Sequence, residues 1–337
     1  MARWTFVGRT DEMNRLVAAA TGRTGRGLIF SGSAGIGKSR LLRESLAGIP
    51  ATDHLVHAAS ANIASSGLPF GGLAQVLPAD PPAGLSPAGL LRWAADHLHG
   101  PDRERPVVLA VDDAHLLDPP SAALVYLMVR EGATLIGTLR STEAVPAPIR
   151  ALWTEDLVEH AELAPLSLTD SGTLLAEMLD GPVEAGSAHR LANLAAGNAL
   201  LLRELVLAAS GGGEITRTYG LWRWTGRLTL APSLADLVDL RIGRLTPGVR
   251  DVVELVALGE PIGLDLVVRA SAALDVEAAE ERGLILVSTD RHRREVRLAH
   301  PLYGEVVRRR CPVTRSHRLL ATLAELVEQT GTRRRDD

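Results

Sequence analysis

Eight residues near the N-terminus, Gly32-Ser33-Ala34-Gly35-Ile36-Gly37-Lys38-Ser39, satisfy the pattern G-x-x-x-x-G-K-[ST] at every specified position. The flanks give the pattern a physical setting. Leu28-Ile29-Phe30 is a short apolar run suited to a buried parallel strand, and Arg40 to Leu46 has helical spacing. A glycine loop between a strand and a helix N-terminus is an anion site. The glycines let backbone N–H groups face phosphates, and the helix dipole favours negative charge there. Lys38 is the only lysine in the chain, so one ammonium group serves this loop and nothing else. Ser33, Ala34, Gly35, Ile36, Gly37, Lys38, Ser39 and Arg40 are the candidate nucleotide contacts. Lys38 would reach the β- and γ-phosphates and the Ser39 hydroxyl would ligate Mg2+.

Such a loop needs an acid at the end of a neighbouring strand. Pro106-Val107-Val108-Leu109-Ala110-Val111-Asp112-Asp113 supplies an unbroken apolar run ending in two carboxylates. Asp112 is the candidate metal ligand, directly or through water, and Asp113 the group that orients or deprotonates an attacking water. Asp118, closer to the helix expected near Pro119, suits the capping role better than either. A third apolar segment, Ala133 to Leu139, ends in Arg140. Ligands of open parallel sheets sit at the carboxyl ends of the strands, which makes Arg140 a candidate for the γ-phosphate.

Patterning places strands near 28–31, 53–58, 107–112, 134–139 and 157–163, separated by helical stretches such as 86–99 and 119–130. That alternation is the signature of a parallel α/β sheet. From Ser167 the pattern turns helical, over 169–180, 185–195 and 198–209. Gly211-Gly212-Gly213 reads as a joint, and Ile215 to Leu230, with Trp222 and Trp224 at strand spacing, as a β-hairpin with a packed tryptophan face. Helices near 234–243, 247–258, 264–272 and 276–282, followed by a hairpin joining Leu284–Val287 to Glu295–Leu298, suggest a winged helix. A further amphipathic helix begins at Val313. The expected fold is an α/β P-loop NTPase, a parallel sheet flanked by helices, followed by a helical lid and a winged-helix domain. The expected segments are 1–166 for nucleotide binding, 167–210 for the lid, 211–231 for the hairpin linker, 232–311 for the winged helix and 312–337 for the tail.

Taken in order, these motifs resemble the signal-transduction NTPases with numerous domains, a branch of the AAA-like ATPases. The chain is most similar to the ATPase module of large LuxR-type, MalT-like transcriptional regulators. Phe6-Val7-Gly8-Arg9 resembles that family's hydrophobic-Gly-Arg box, which implies that Val7, Gly8 and Arg9 lie over the adenine; Thr10 stands where the family has an acid. Asp112 to Asp118 resembles its extended second motif, and Gly137-Thr138-Leu139-Arg140 its sensor segment. Ala196-Gly197-Asn198-Ala199-Leu200 stands where the family has Gly-Asn-Pro, which implies a nucleotide contact for Asn198, with Ala199 in place of the proline that touches the base. The resemblance also implies that His300, in Arg297-Leu298-Ala299-His300-Pro301, reaches the β-phosphate of ADP.

The function expected is a slow, Mg2+-dependent ATPase that acts as an ATP/ADP switch, with self-association in the ATP state and an unidentified inducer. DNA would be bound through a C-terminal domain outside this chain. The alternative is an origin-recognition-like ATPase that uses its own winged helix on DNA. Against it, Val276 to Arg282 carries three glutamates and one arginine, a surface that phosphates repel; for it stand Arg291-His292-Arg293-Arg294 and Arg308-Arg309-Arg310. Composition excludes other classes. The 337 residues carry 36 basic and 40 acidic side chains, a formal charge of −4, so no general polyanion affinity is expected. Apolar runs such as Ala122 to Val129 fall far short of a membrane span. Cys311 is the only cysteine, which rules out an internal disulfide or a cysteine-cluster metal site. With no signal-like segment at Met1-Ala2-Arg3-Trp4-Thr5, a cytoplasmic location is expected.

Overall fold

The computed structural model describes residues 5–226, 245–290 and 293–332. The chain divides into two units, Met1–Asp170 with Asn198–Leu200, and Ser171–Gly197 with Leu201–Asp337. In the first, helices and strands alternate: α1 (Thr10–Ala20), β1 (Gly27–Gly32), α2 (Lys38–Leu46), β2 (Leu55–Ser60), α3 (Pro87–His99), β3 (Val107–Asp112), α4 (Pro119–Arg130), β4 (Thr134–Arg140), α5 (Ala147–Thr154) and β5 (Val158–Glu162). The strands form one sheet in the order β2-β3-β4-β1-β5, and every pairing is parallel. This is the parallel α/β sheet that the sequence pattern calls for, with all five strands at the expected places.

Alternation along each strand decides which helices it meets. Leu109 and Val111 of β3, Leu135 and Leu139 of β4 and Ile29 of β1 point to one face, where they pack with Ala94, Leu98, Leu124, Val125, Met128, Ile149 and Leu152 of α3, α4 and α5. Val108, Ala110, Ile136, Leu28 and Phe30 point to the other and meet Leu16, Ala19, Leu41 and Leu42 of α1 and α2. A sheet covered on both faces requires strands apolar on both sides, and this is why β1 and β3 read as continuous hydrophobic runs. The helices α1 and α5 were not anticipated from the sequence. Only Leu16, Ala19 and Ala20 of α1 and Ile149 and Leu152 of α5 are fully buried, which leaves a thin apolar stripe to read.

The second unit is described by itself. The helix α6 (Leu168–Met178) starts at the junction, and α7 (Ala185–Ala195) and α8 (Ala199–Gly211) follow. The strands β6 (Ile215–Thr218) and β7 (Leu221–Trp224) form the expected hairpin. Its tryptophans are packing groups. Trp224 is buried under the Arg190 guanidinium, and its backbone N–H donates to the Ser187 hydroxyl at 3.0 Å. Next come α9 (Pro247–Gly259), β8 (Ile262–Gly263), α10 (Leu264–Ala270), α11 (Ala273–Glu281), β9 (Ile285–Asp290), β10 (Arg293–Leu298), α12 (Pro301–Arg310) and α13 (Val313–Thr332). The strands β8, β10 and β9 make a small antiparallel sheet. The helix expected over 234–243 lies outside the described residues. No helix among the described residues is long and apolar enough to cross a membrane.

One buried carboxylate organises the edge of the sheet near β3. Asp118, 2% exposed, caps α4 by accepting from Ser121 N at 3.0 Å and from Ser121 Oγ at 2.6 Å. The same carboxylate accepts from Phe70 N and Gly72 N, both at 2.9 Å, and so holds the segment that follows β2. Two chain segments therefore depend on one side chain. Asp118→Ala orphans three backbone donors, two of them buried, and is expected to cost about 3 kcal/mol of stability. Urea denaturation should show that loss as a lower midpoint with an unchanged slope.

Candidate functional site

The strand β4 lies between β1 and β3, so its carboxyl end separates the loop after β1 from the acids after β3. The loop runs from Gly32 to Gly37 and enters α2, whose N-cap Gly37 sits at φ 109°, a conformation that strains any residue with a Cβ. No side chain caps this helix end. Lys38 is buried, and its ammonium donates to Gly32 O at 2.8 Å and Ser33 O at 2.9 Å. The cation is thereby folded back under the loop and held at its mouth. Ser39 is half-buried at the second position of the helix. The Arg40 guanidinium lies 5.6 Å above the Phe6 ring and 3.6 Å from Glu44.

Across β4, a hydroxyl joins the two acids. Thr138, fully buried, donates to Asp112 Oδ1 at 2.5 Å, and its oxygen accepts from Asp113 N at 2.9 Å. Asp113 adopts φ 54° and ψ 46°, in the left-handed region, and so turns its side chain off the line of the strand. A hydroxyl within an otherwise apolar strand must find a partner, and that is the signal in the sequence that identifies Thr138. Arg140 ends β4, with its guanidinium 40% exposed and 4.0 Å from Glu143. The carboxylate of Asp112 and the hydroxyl of Ser39 are hard oxygen donors of the kind Mg2+ takes alongside phosphate oxygens and water. Among the described residues no group of three or more His, Cys, Asp or Glu could hold a metal by itself.

His115 is a second residue that the sequence reading passed over. Its side chain is 1% exposed, and Nδ1 lies 3.9 Å from Asp113 Oδ1 and accepts from Arg140 N at 3.4 Å. The neutral ring then carries its proton on Nε2, which is buried without a hydrogen-bond partner among the described residues. Burial lowers its pKa, opposed by the nearby Asp113 charge and assisted by Arg140. His57 on β2 is lowered too, by burial, against its 2.7 Å contact with Leu98 O.

The remaining predicted site residues fall in different places. Gly8 packs against Asp170, whose carboxyl carbon would lie 2.5 Å from a Cβ at that position. Arg9 is buried, with Nη1 donating to Glu12 at 2.8 Å and Nη2 to Ala164 O at 2.6 Å. Asn198 belongs with the nucleotide-loop unit, where Nδ2 donates to Ala34 O at 2.8 Å. His300 lies in the second unit. It caps α12 by accepting from Leu302 N at 3.2 Å, and its Nε2 faces Ala195 O at 3.2 Å.

A testable pH dependence follows from the two depressed histidines. The unfolded chain binds protons near pH 6.5, where the fold keeps both rings neutral. Their contribution is therefore complete above about pH 6.5 and is lost as the pH falls towards the lower native values. Urea midpoints should drop between pH 7.5 and pH 5.5. Replacing both His57 and His115 by glutamine should flatten that drop.

Comparison with known proteins agrees with this geometry in part. Residues 5–139 match the AAA ATPase domain family. No curated protein sequence matches the chain. Among solved structures, the Walker-type ATPase PABY2304 of Pyrococcus abyssi superposes with a TM-score of 0.56 at 15% identity, covering 90% of this chain and 96% of that one. The Aeropyrum pernix ORC1 protein, solved in complex with DNA, gives 0.49 at 18% identity over 91% and 94% of the two chains. The Thermotoga maritima RuvB Holliday junction branch migration motor gives 0.43 at 15% identity over 86% and 92%. The fold likeness rests on the first of these, and the sequence match extends from before α1 to Leu139, one residue short of the end of β4. Over residues 5–139, which include the phosphate loop and the paired acids, the chain is similar to the AAA ATPase domain family.

Proposed function

We propose that this chain is an ATP/ADP-binding, Mg2+-dependent switch, the nucleotide module of a LuxR-type transcriptional regulator. The observation that supports it best is the pairing, at one sheet edge, of a loop holding the only lysine with two acids held by one threonine. In this reading Lys38 neutralises the β- and γ-phosphates, while backbone N–H groups of the loop and of the first turn of α2 hold their oxygens. Ser39 and Asp112 would hold Mg2+, which when bound offsets phosphate charge and orients the terminal phosphoryl group. Asp113, turned off the strand, accepts the proton of the attacking water. Arg140 supplies positive charge to the γ-phosphate. The segment 167–210 serves as the lid and 232–311 as the winged helix that moves with nucleotide state.

A switch is favoured over a DNA-binding ATPase by the charge of α11. Glu277, Glu280 and Glu281 are all exposed on or beside the face that a groove-reading helix would present, against Arg282 alone. Four or more phosphate contacts would be needed for useful affinity, and this helix opposes them. Binding of the chain to random duplex DNA should be weak at every salt concentration. A steep salt dependence would favour the second reading.

Two substitutions test the chemistry. Lys38→Ala should weaken binding of a fluorescent ATP analogue by about a hundredfold or more, since no other lysine can replace the lost charge-assisted bonds. Near-normal affinity would remove the reading. Asp113→Asn should keep Mg-ATP bound and slow hydrolysis by about a hundredfold or more, the range of a lost general base. Asp112→Asn should instead weaken the Mg2+-dependent part of binding. Parent-like turnover in both would overturn the assignment of the two acids.

A further inference from the structure

The phosphate loop is gripped from behind by two residues, Asn198 and Leu200, that lie more than 160 positions away in sequence. Asn198 Nδ2 donates to Ala34 O at 2.8 Å. Leu200 N donates to Gly35 O at 3.0 Å, and the Asn198 Oδ1 accepts from the same Leu200 N at 3.1 Å. Asn198 is 5% exposed, and its bond to the exposed Ala34 is part-buried. The grip also accounts for a residue that the loop pattern leaves open. A Cβ on Gly35 would lie 2.8 Å from Asn198 Oδ1 and 2.9 Å from Leu200 Cβ, and Gly35 stands at φ +78°. Glycine is thus required there twice, by the backbone and by the two residues packed on it.

A trans peptide is planar, with its C=O and N–H pointing in opposite directions. Holding the Ala34 and Gly35 carbonyls on the outside therefore turns the Gly35 and Ile36 N–H groups to the opposite side of the loop. Among the described residues, Ile36 N makes a long 3.5 Å contact with Ser33 O. We propose that Asn198–Leu200 is a clip that presets the apex of the phosphate loop for a polyphosphate, with Asn198 as a positioning residue that touches neither base nor phosphate. The inference rests on the reading that this loop binds nucleoside phosphates. It replaces a direct nucleotide contact for Asn198 with an action through Ala34. Asn198 lies between α7 and α8 and Leu200 in the first turn of α8, so the residues that order the loop also begin that helix.

Two variants separate this role from simple helix capping. Asn198→Asp keeps an oxygen to accept from Leu200 N at the start of α8, where an acid is favourable, and loses the donor to Ala34 O. Asn198→Ala loses both and adds no charge. Affinity is measured for Mg-ATP directly and for Mg-tripolyphosphate, which has no base, by competition. The clip predicts that both variants lose about tenfold on both ligands, the worth of one buried hydrogen bond. A loss on ATP alone would mean that Asn198 contacts the base. A loss in Asn198→Asp alone would mean charge repulsion. Either result overturns the clip, as do unchanged affinities in both variants. Should Asn198→Ala not fold, hydrogen exchange in the parent decides: Mg-ATP should slow exchange of the Leu200 amide, and an unchanged rate contradicts the proposal. A parent that binds neither ligand removes the nucleotide reading itself and the clip with it. Parent binding with unaffected variants removes the clip alone.

Discussion

A parallel sheet brings all its carboxyl ends to one edge, and the chemistry proposed here depends on which strands are neighbours along it. With β4 placed between β1 and β3, a single side chain from β4 can reach the acids of β3 while the strand itself pairs with the start of the phosphate loop. Thr138 is that side chain. Its hydroxyl holds Asp112 by donating and Asp113 by accepting, so the two acids are aimed by one group buried in the sheet. Asp113 stands in the left-handed region, a conformation that aspartate adopts more readily than most residues.

The parts of this site that could be read from sequence are those that a short pattern carries. The loop, its lysine and the paired acids are contiguous, and their flanking strands are apolar on both faces because helices cover both. Asp118 was also legible, since a capping residue one position before a proline-started helix has few other uses; its further bonds to Phe70 N and Gly72 N were not, because they span 48 and 46 positions. Thr138 and His115 were missed for a related reason. Their roles depend on which strand lies beside which, and strand order is not a local property. Arg9 carried an expectation from a family box, and the structure shows its guanidinium directed to Glu12 and the Ala164 carbonyl.

The same distance argument applies to Asn198. In the sequence, Asn198 carries an expectation of nucleotide contact from a family motif; in the structure its oxygen caps the start of α8 by accepting from Leu200 N. Its second hydrogen bond, to a carbonyl of the phosphate loop, could be seen only once the loop and the helix start were placed together. His300 shows both halves of the pattern: it caps α12 locally, and its other nitrogen faces Ala195 O, 105 positions away at the end of α7.

The central claim is that the loop around Lys38 is an adenine-nucleotide site that works with Mg2+. It is tested most directly by calorimetric titration of Mg-ATP and Mg-ADP into nucleotide-stripped protein, with and without the metal. The account predicts one nucleotide per chain for each ligand, with Mg2+ strengthening ATP more than ADP. An absence of binding heat up to millimolar nucleotide, in protein shown to be folded, would contradict it.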